Sequence, residues 1–278
     1  MSQPPTERHY ILGHEERELQ RLILQAEFYR PLMEDLLNRA GLAPGMRVLD
    51  VGCGVGDVSF MLAERVGPTG QVVGIDSSVE AITRARRRPE ARRWAHVRFE
   101  ETRMDAFKAS APFDAVVGRM VLMYQPDPLA MVRQAAALVR PGGRVVFQEL
   151  EVAAMGYSWP KLPLFTKVWE EWMVPTCERA GLVMHMGLEL VPTLQRAGLL
   201  EAEGLMGGRV APGSVLTASA FVAETVRTLV PLITRLGVAT AEEVGIDTLA
   251  ERVSAELVEH GGVMVPSLLV GAWARKPG

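Results

Sequence analysis

Apolar residues along this chain fall into short runs separated by helical periodicities, and that alternation predicts a parallel sheet wrapped by helices. The runs at 48–51, 71–75, 96–99, 115–118 and 144–149 are mostly β-branched or aromatic and too short for helices. Strands covered on both faces have that composition. Between them, apolar positions recur at three- and four-residue intervals, Val58, Met61, Leu62 and Val66 being the clearest set. The reading is an α/β chain with a doubly wound, mainly parallel sheet of Rossmann-like type. Residues 188–197 continue it as a helix, and 200–206 and 264–274 bring the sheet to seven strands. A helical pattern also covers 14–40, interrupted at Pro31. Proline can open a helix but cannot continue one without losing a hydrogen bond, so two helices are expected there.

The rhythm fails twice. Residues 152–187 are rich in Trp, Pro and Met, and read as a lid. Residues 207–262, with helical patterns at 219–236 and 247–260, separate the sixth strand from the seventh. We expect these insertions, with the N-terminal segment 1–41, to build a helical cap on a domain spanning 42–278, without an independent second domain.

The first strand-to-helix turn carries the chemistry. It reads Asp50-Val51-Gly52-Cys53-Gly54-Val55-Gly56-Asp57. A side chain on Gly52, Gly54 or Gly56 would forbid the tight turn or hold the loop away from a ligand at the start of the next helix. The spacing departs from the G-x-G-x-x-G fingerprint of dinucleotide enzymes, whose loop faces a pyrophosphate. An acid at each end, Asp50 and Asp57, repels pyrophosphate and suits a cofactor that is cationic there, with an ammonium and a sulfonium. The next strand ends at Asp76, about twenty residues past the loop, where a carboxylate accepts both hydroxyls of an unphosphorylated ribose.

Together with Phe113-Asp114-Ala115-Val116-Val117 and Leu138-Val139-Arg140-Pro141-Gly142-Gly143-Arg144-Val145-Val146, this loop resembles the class I S-adenosylmethionine-dependent methyltransferases. The likeness covers roughly residues 42–152 and is similar to the small-molecule branch that includes ubiquinone, menaquinone and natural-product methyltransferases. It implies S-adenosylmethionine as cofactor. Gly52 and Gly54, with Cys53 and Gly56, would border its methionyl part, and Asp50 would hold the ammonium through water. Asp76 with Ser77 would bind the ribose, Asp105 with Ala106 would meet the adenine amino group, and the carbonyl of Arg119 would contact the ammonium. Thr102 competes for the adenine position, because the segment before Asp105 lacks the usual glycine. Tyr10 is expected to close over the cofactor. Arg21 and Gln25, one helical turn apart, can reach the cofactor carboxylate or form a solvated helix face.

Length and composition agree with an enzyme of this kind: 278 residues, 48% hydrophobic. The net charge of −3 opposes a nucleic-acid partner. Arg84, Arg86, Arg87, Arg88, Arg92 and Arg93 form a local exception, read as a solvated helix face. The apolar run at 263–273 is broken by Pro266 and is too short for a bilayer, and the polar residues 1–5 are no signal peptide, so no membrane partner and a cytoplasmic location are expected. Cys53 and Cys177 have no metal-ligand spacing, so no metal is expected. A homodimer is left open.

The acceptor should lie above the carboxyl ends of the strands. Met120, Val121, Leu122, Met123 and Tyr124, with Met155, Tyr157, Trp159, Trp169, Trp172, Met173, Met184 and Met186, suggest a small apolar or aromatic molecule, methylated at oxygen, nitrogen or carbon. No motif encodes a base. Glu149, His185, Tyr124 and His14 are the candidates, with a salt bridge from Glu149 to Arg119 or Arg144 as the structural alternative. The side chain of Arg119 could pair with Asp50, Asp57 or Glu149. Rival readings are a methyltransferase fold that catalyses a cyclisation in an apolar pocket, or a cofactor-binding protein without catalysis.

Overall fold

A computed structural model describes residues 16–212 and 216–278. Tyr10 and His14 lie outside the described residues, as does the side chain of Arg21. The chain opens with α1 (Glu16–Arg39), then β1 (Arg47–Val51), α2 (Asp57–Val66), β2 (Gln71–Asp76), α3 (Val79–Arg87), α4 (Pro89–Arg93), β3 (Val97–Glu101), β4 (Phe113–Arg119), α5 (Pro128–Leu138) and β5 (Val139–Leu150). The lid follows as β6 (Tyr157–Trp159), α6 (Pro163–Lys167), a π-helical stretch at Val168–Met173 and α7 (Val174–Arg179). Helix α8 (Met186–Arg196) and β7 (Glu203–Gly207) return to the sheet. The chain then runs through β8 (Ala211–Pro212), α9 (Leu216–Arg235), α10 (Ala241–Val244), α11 (Leu249–Glu259), β9 (Val263–Val265) and β10 (Leu269–Arg275).

Seven strands form one sheet in the order β3-β2-β1-β4-β5-β10-β7. All neighbours are parallel except β10, which is antiparallel to both β5 and β7. The doubly wound, mainly parallel sheet expected from the apolar runs is therefore present. Successive residues of each strand face opposite sides. Leu49 and Val51 pack with α5 and α8, whereas Val48, Val72 and Val117 pack with α2 and the second half of α1. Connections leave β1 and β4 in opposite directions, which opens a crevice at their carboxyl ends.

Two expectations are corrected. Helix α1 runs unbroken through Pro31. The proline removes one hydrogen bond, at a cost of roughly 3 kcal/mol. Phe28 and Tyr29 upstream are buried in the cap core, while Met33, Leu36 and Leu37 downstream are buried against the sheet, and together they outweigh it. The expected strand at 264–274 is two strands. Pro266 lies between them; β9 joins β6 and β8 in a separate three-stranded sheet, and β10 begins only at Leu269.

A second apolar core, built from α1, α6, the π-helical stretch, α9, α11 and β9, lies over the carboxyl edge of the main sheet. Phe28 stacks on Phe221 with ring centroids 4.8 Å apart, and Tyr29 meets Phe221 edge-on, which joins α1 to α9. Pro175 has no N–H to continue an i→i−4 ladder, and the wide turn directly before it accommodates that loss. Among the described residues no helix is long and apolar enough to cross a membrane.

Candidate active site

A cavity of about 770 Å³ lies between the carboxyl ends of the strands and the cap, within the range of ~300–1,000 Å³ typical for small-ligand sites. Its floor is built strand by strand. At the end of β1 and just past it come Asp50, Gly52, Cys53 and Gly54; at the end of β2, Asp76 and then Ser77; after β3, Thr102, Met104 and Asp105; at the end of β4, Arg119 and then Met120, Met123 and Tyr124. Its roof is Gln25 of α1, Met155, Trp169, Met173 and Cys177 of the lid, and Thr225 and Leu229 of α9. Gly56 and Ala106 fall outside this lining, and Ala106 is exposed.

The glycine loop is a rigid cradle. Gly52 has φ +66°, and a Cβ there would meet Val121 Cγ2 at 2.7 Å, so the loop and the turn after β4 approach more closely than any side chain permits. Gly54 has φ +52°, and its would-be Cβ has open space around it. The bare backbone at Gly54 thus faces room for a ligand, which is the use the sequence suggests for it. Gly56 serves packing instead, with φ +92° and Phe60 and Phe99 against it.

Asp76 ties this loop down. Its Oδ2 accepts the Gly54 N–H at 2.9 Å and its Oδ1 accepts the Ser78 N–H at 2.8 Å. Each carboxylate oxygen has a second lone pair, so the group retains acceptor capacity for a diol while shaping the loop. Asp50 is buried at the end of β1, and Ser59, one turn into α2, donates its hydroxyl to Asp50 Oδ2 at 2.6 Å. Burial pushes the Asp50 carboxyl up to about 7, against the Ser59 hydrogen bond and the positive charge of Arg119. A buried carboxylate held near neutrality in this way suits a cationic ligand group that would complete its ionisation. Asp57 does not present the free acid expected at the loop's far end. Arg88 pairs with it, and the guanidinium also lies over the Phe60 ring.

Glu149 is corrected from proton acceptor to scaffold. It is fully buried below the cavity, and its carboxylate accepts the backbone N–H groups of Val121, Leu122 and Met123 at 2.9, 2.7 and 3.3 Å. Burial still pushes its carboxyl up to about 7 in spite of these donors. No salt bridge to Arg119 or Arg144 forms; Arg144 donates instead to the carbonyls of Ala40 and Gly142. The anchored turn begins at Met120, a non-glycine residue at φ +52°, whose N–H is held by the Gln148 carbonyl at 2.8 Å and whose sulfur accepts from Gln25 Nε2 at 3.3 Å. Three buried N–H groups and one strained residue are thereby fixed around a carboxylate two strands from Asp50.

His185 also sits elsewhere. Its ring is mostly exposed and outside the lining, and Nδ1 contacts Glu151 Oε1 at 2.6 Å while Glu151 Oε2 takes the Leu188 N–H at the start of α8. Of the candidate bases only Tyr124 lines the cavity among the described residues. Trp169 and Met173 reach the site, whereas Trp159 is 79% exposed, Tyr157 is exposed, and Trp172 is buried in the cap core. Sequence reading missed Ser59, Thr225 and Leu229. Ser59 is signalled only by lying one turn into the helix that follows the loop; nothing in the sequence of α9 marks Thr225 or Leu229.

Residues 42–181 match the family model described as a methyltransferase domain, and the chain belongs to that family. The cofactor that family implies is S-adenosylmethionine. Nocamycin O-methyltransferase of Saccharothrix syringae is 43% identical over 122 residues, covering 43% of this chain and 43% of that protein. Ubiquinone biosynthesis O-methyltransferase of Neisseria meningitidis is 31% identical over 168 residues, covering 55% of this chain and 70% of that protein. The chain thus spans less than half the length of the first of these relatives. Among solved structures, the YcgJ protein of Bacillus subtilis superposes with a TM-score of 0.56 at 15% identity, covering 88% of this chain and 97% of that one, a likeness of fold.

Proposed function

We propose that the chain transfers a methyl group from S-adenosylmethionine to a small, apolar or aromatic acceptor held under the cap. The observation that carries the reading is one cavity with two unlike halves. Asp50, bare Gly54 and Asp76 stand at the strand ends, and a roof of Met155, Trp169, Met173 and Leu229 stands opposite. In this reading Asp50 takes the cofactor ammonium, the backbone around Gly54 lies against the methionyl chain, Asp76 and Ser77 take the ribose, and Asp105 or Thr102 meets the adenine edge. The cofactor supplies an electrophilic methyl carbon. The chain contributes proximity, alignment and exclusion of water, which are the main demands of an in-line displacement. The O-methyltransferases among the relatives favour an oxygen acceptor.

Turnover of methyl-labelled cofactor with fractionated metabolite extract tests the proposal. S-adenosylhomocysteine should accumulate in proportion to one labelled, organic-extractable product. An isomerised product without S-adenosylhomocysteine would point to cyclisation, and cofactor binding without any product would point to a non-catalytic role.

A further inference from the structure

Resting on the methyltransferase reading, we infer that Arg119 is an oxyanion-binding residue of the cavity, taking a carboxylate or a comparably delocalised oxyanion of a bound ligand. Its neighbours set the argument. The carboxylates around the cavity take their hydrogen bonds from groups other than Arg119: Asp57 from Arg88, Asp76 from two backbone N–H groups, Asp105 from Arg103, Asp127 from the Ala130 N–H that it caps, and Asp50 from Ser59. The charge of Arg119 acts on Asp50 without a hydrogen bond or ion pair between them. Glu149, just below, is filled by its three backbone donors. Arg119 lines the same cavity, and its Nη1 is buried with no hydrogen-bond partner among the described residues. A buried guanidinium donor left unmet costs stability, and a planar fork of N–H groups matches a carboxylate better than any neutral group. The side chain is rigidly carried. Arg119 ends β4 in register with Gln148, and the next residue is the strained, hydrogen-bonded Met120.

Two sources can supply that oxyanion: the carboxylate of the cofactor's amino-acid end, or an ionised group on the acceptor. The second has a chemical consequence. An acceptor that arrives as an oxyanion needs no protein base. Its oxygen forms the new O–C bond as the C–S bond breaks with its electron pair left on sulfur, so the anionic and sulfonium charges cancel and no proton is transferred in the step.

Binding measured by calorimetry on Arg119→Met and Arg119→Lys separates these cases. One arm compares S-adenosylmethionine with its decarboxylated analogue, and the other compares 1-naphthoate with neutral 1-naphthol. The wild type should prefer the carboxylate in at least one pair. Arg119→Met should erase that preference by about 10- to 100-fold, the scale of a lost hydrogen bond between charged groups. Arg119→Lys, which keeps the charge without the fork, should fall between and serves if the Met variant is unfolded. Loss confined to the first pair assigns the cofactor, and loss confined to the second assigns the acceptor. A wild type indifferent to the carboxylate in both pairs, or a preference that survives in Arg119→Met, overturns the inference. Failure of the wild type to bind S-adenosylmethionine at all overturns the methyltransferase reading instead, while the naphthoate pair still reports on Arg119.

Discussion

Glu149 accepts the backbone N–H of Leu122 at 2.7 Å from beneath the floor of the cavity. With Val121 and Met123 on the same carboxylate, one side chain holds the turn that presents Met120, Met123 and Tyr124 to the site, directly after Arg119. Glu149→Ala should therefore destabilise the protein by about 3 kcal/mol or more, since each stranded buried donor costs roughly 1–3 kcal/mol. Glu149→Gln, with one acceptor oxygen left, should lie between the two. Urea unfolding measures both. Wild-type stability with reduced turnover would instead make Glu149 a proton acceptor.

Asp76→Ala should weaken S-adenosylmethionine binding by about 2–4 kcal/mol. Hydrogen bonds to a charged acceptor contribute roughly 1.5–3 kcal/mol, and the loop N–H groups of Gly54 and Ser78 lose their anchor as well. Asp76→Asn, which keeps the shape with half the acceptor capacity, should bind with intermediate strength. Calorimetric affinities equal to wild type for both variants would remove Asp76 from the cofactor site.

Gly54→Val should abolish cofactor binding and leave the fold intact. Space is open around the new Cβ, so the cost to the fold is the left-handed backbone alone, roughly 1–2 kcal/mol. Gly52→Val should fail differently, by unfolding, because its Cβ would collide with Val121. A Gly54→Val protein that melts like wild type and still binds cofactor would show that the loop is not the cradle.

Stability and cofactor affinity should respond oppositely to pH. Asp50 and Glu149 both have their carboxyls raised to about 7 by burial. The folded protein therefore holds more protons than the unfolded chain between about pH 4 and 7. Stability without cofactor should fall as pH rises through that window and level off above it. If Asp50 holds the cofactor ammonium, binding requires its ionised form. Affinity should then rise through pH 7, with a proton released per cofactor bound at pH 6. Calorimetry in buffers of different ionisation enthalpy detects that proton, and an affinity independent of pH between 5.5 and 8 would exclude Asp50 from the ammonium site.

By itself the sequence determined the layered α/β sheet and the place of the glycine loop, because both follow from local rules. Strands buried on two faces must be mostly apolar, as 48–51 and 115–118 are, and a tight turn with left-handed backbone calls for glycine, as at Gly52 and Gly54. Tertiary structure alone decided what depends on contacts between distant segments. Pro31 stays inside α1 because burial on both sides of it outweighs the lost hydrogen bond. The expected last strand splits because β9 found partners in the cap that local pattern does not encode. Glu149 and His185 looked like bases at a strand end and in a lid. Glu149 became scaffold because three N–H groups of the turn after β4 needed an acceptor, and His185 turned outward onto Glu151. The same holds for Arg119: the sequence offers it Asp50, Asp57 or Glu149 as partners, and only the fold shows that each of these takes its hydrogen bonds from other groups.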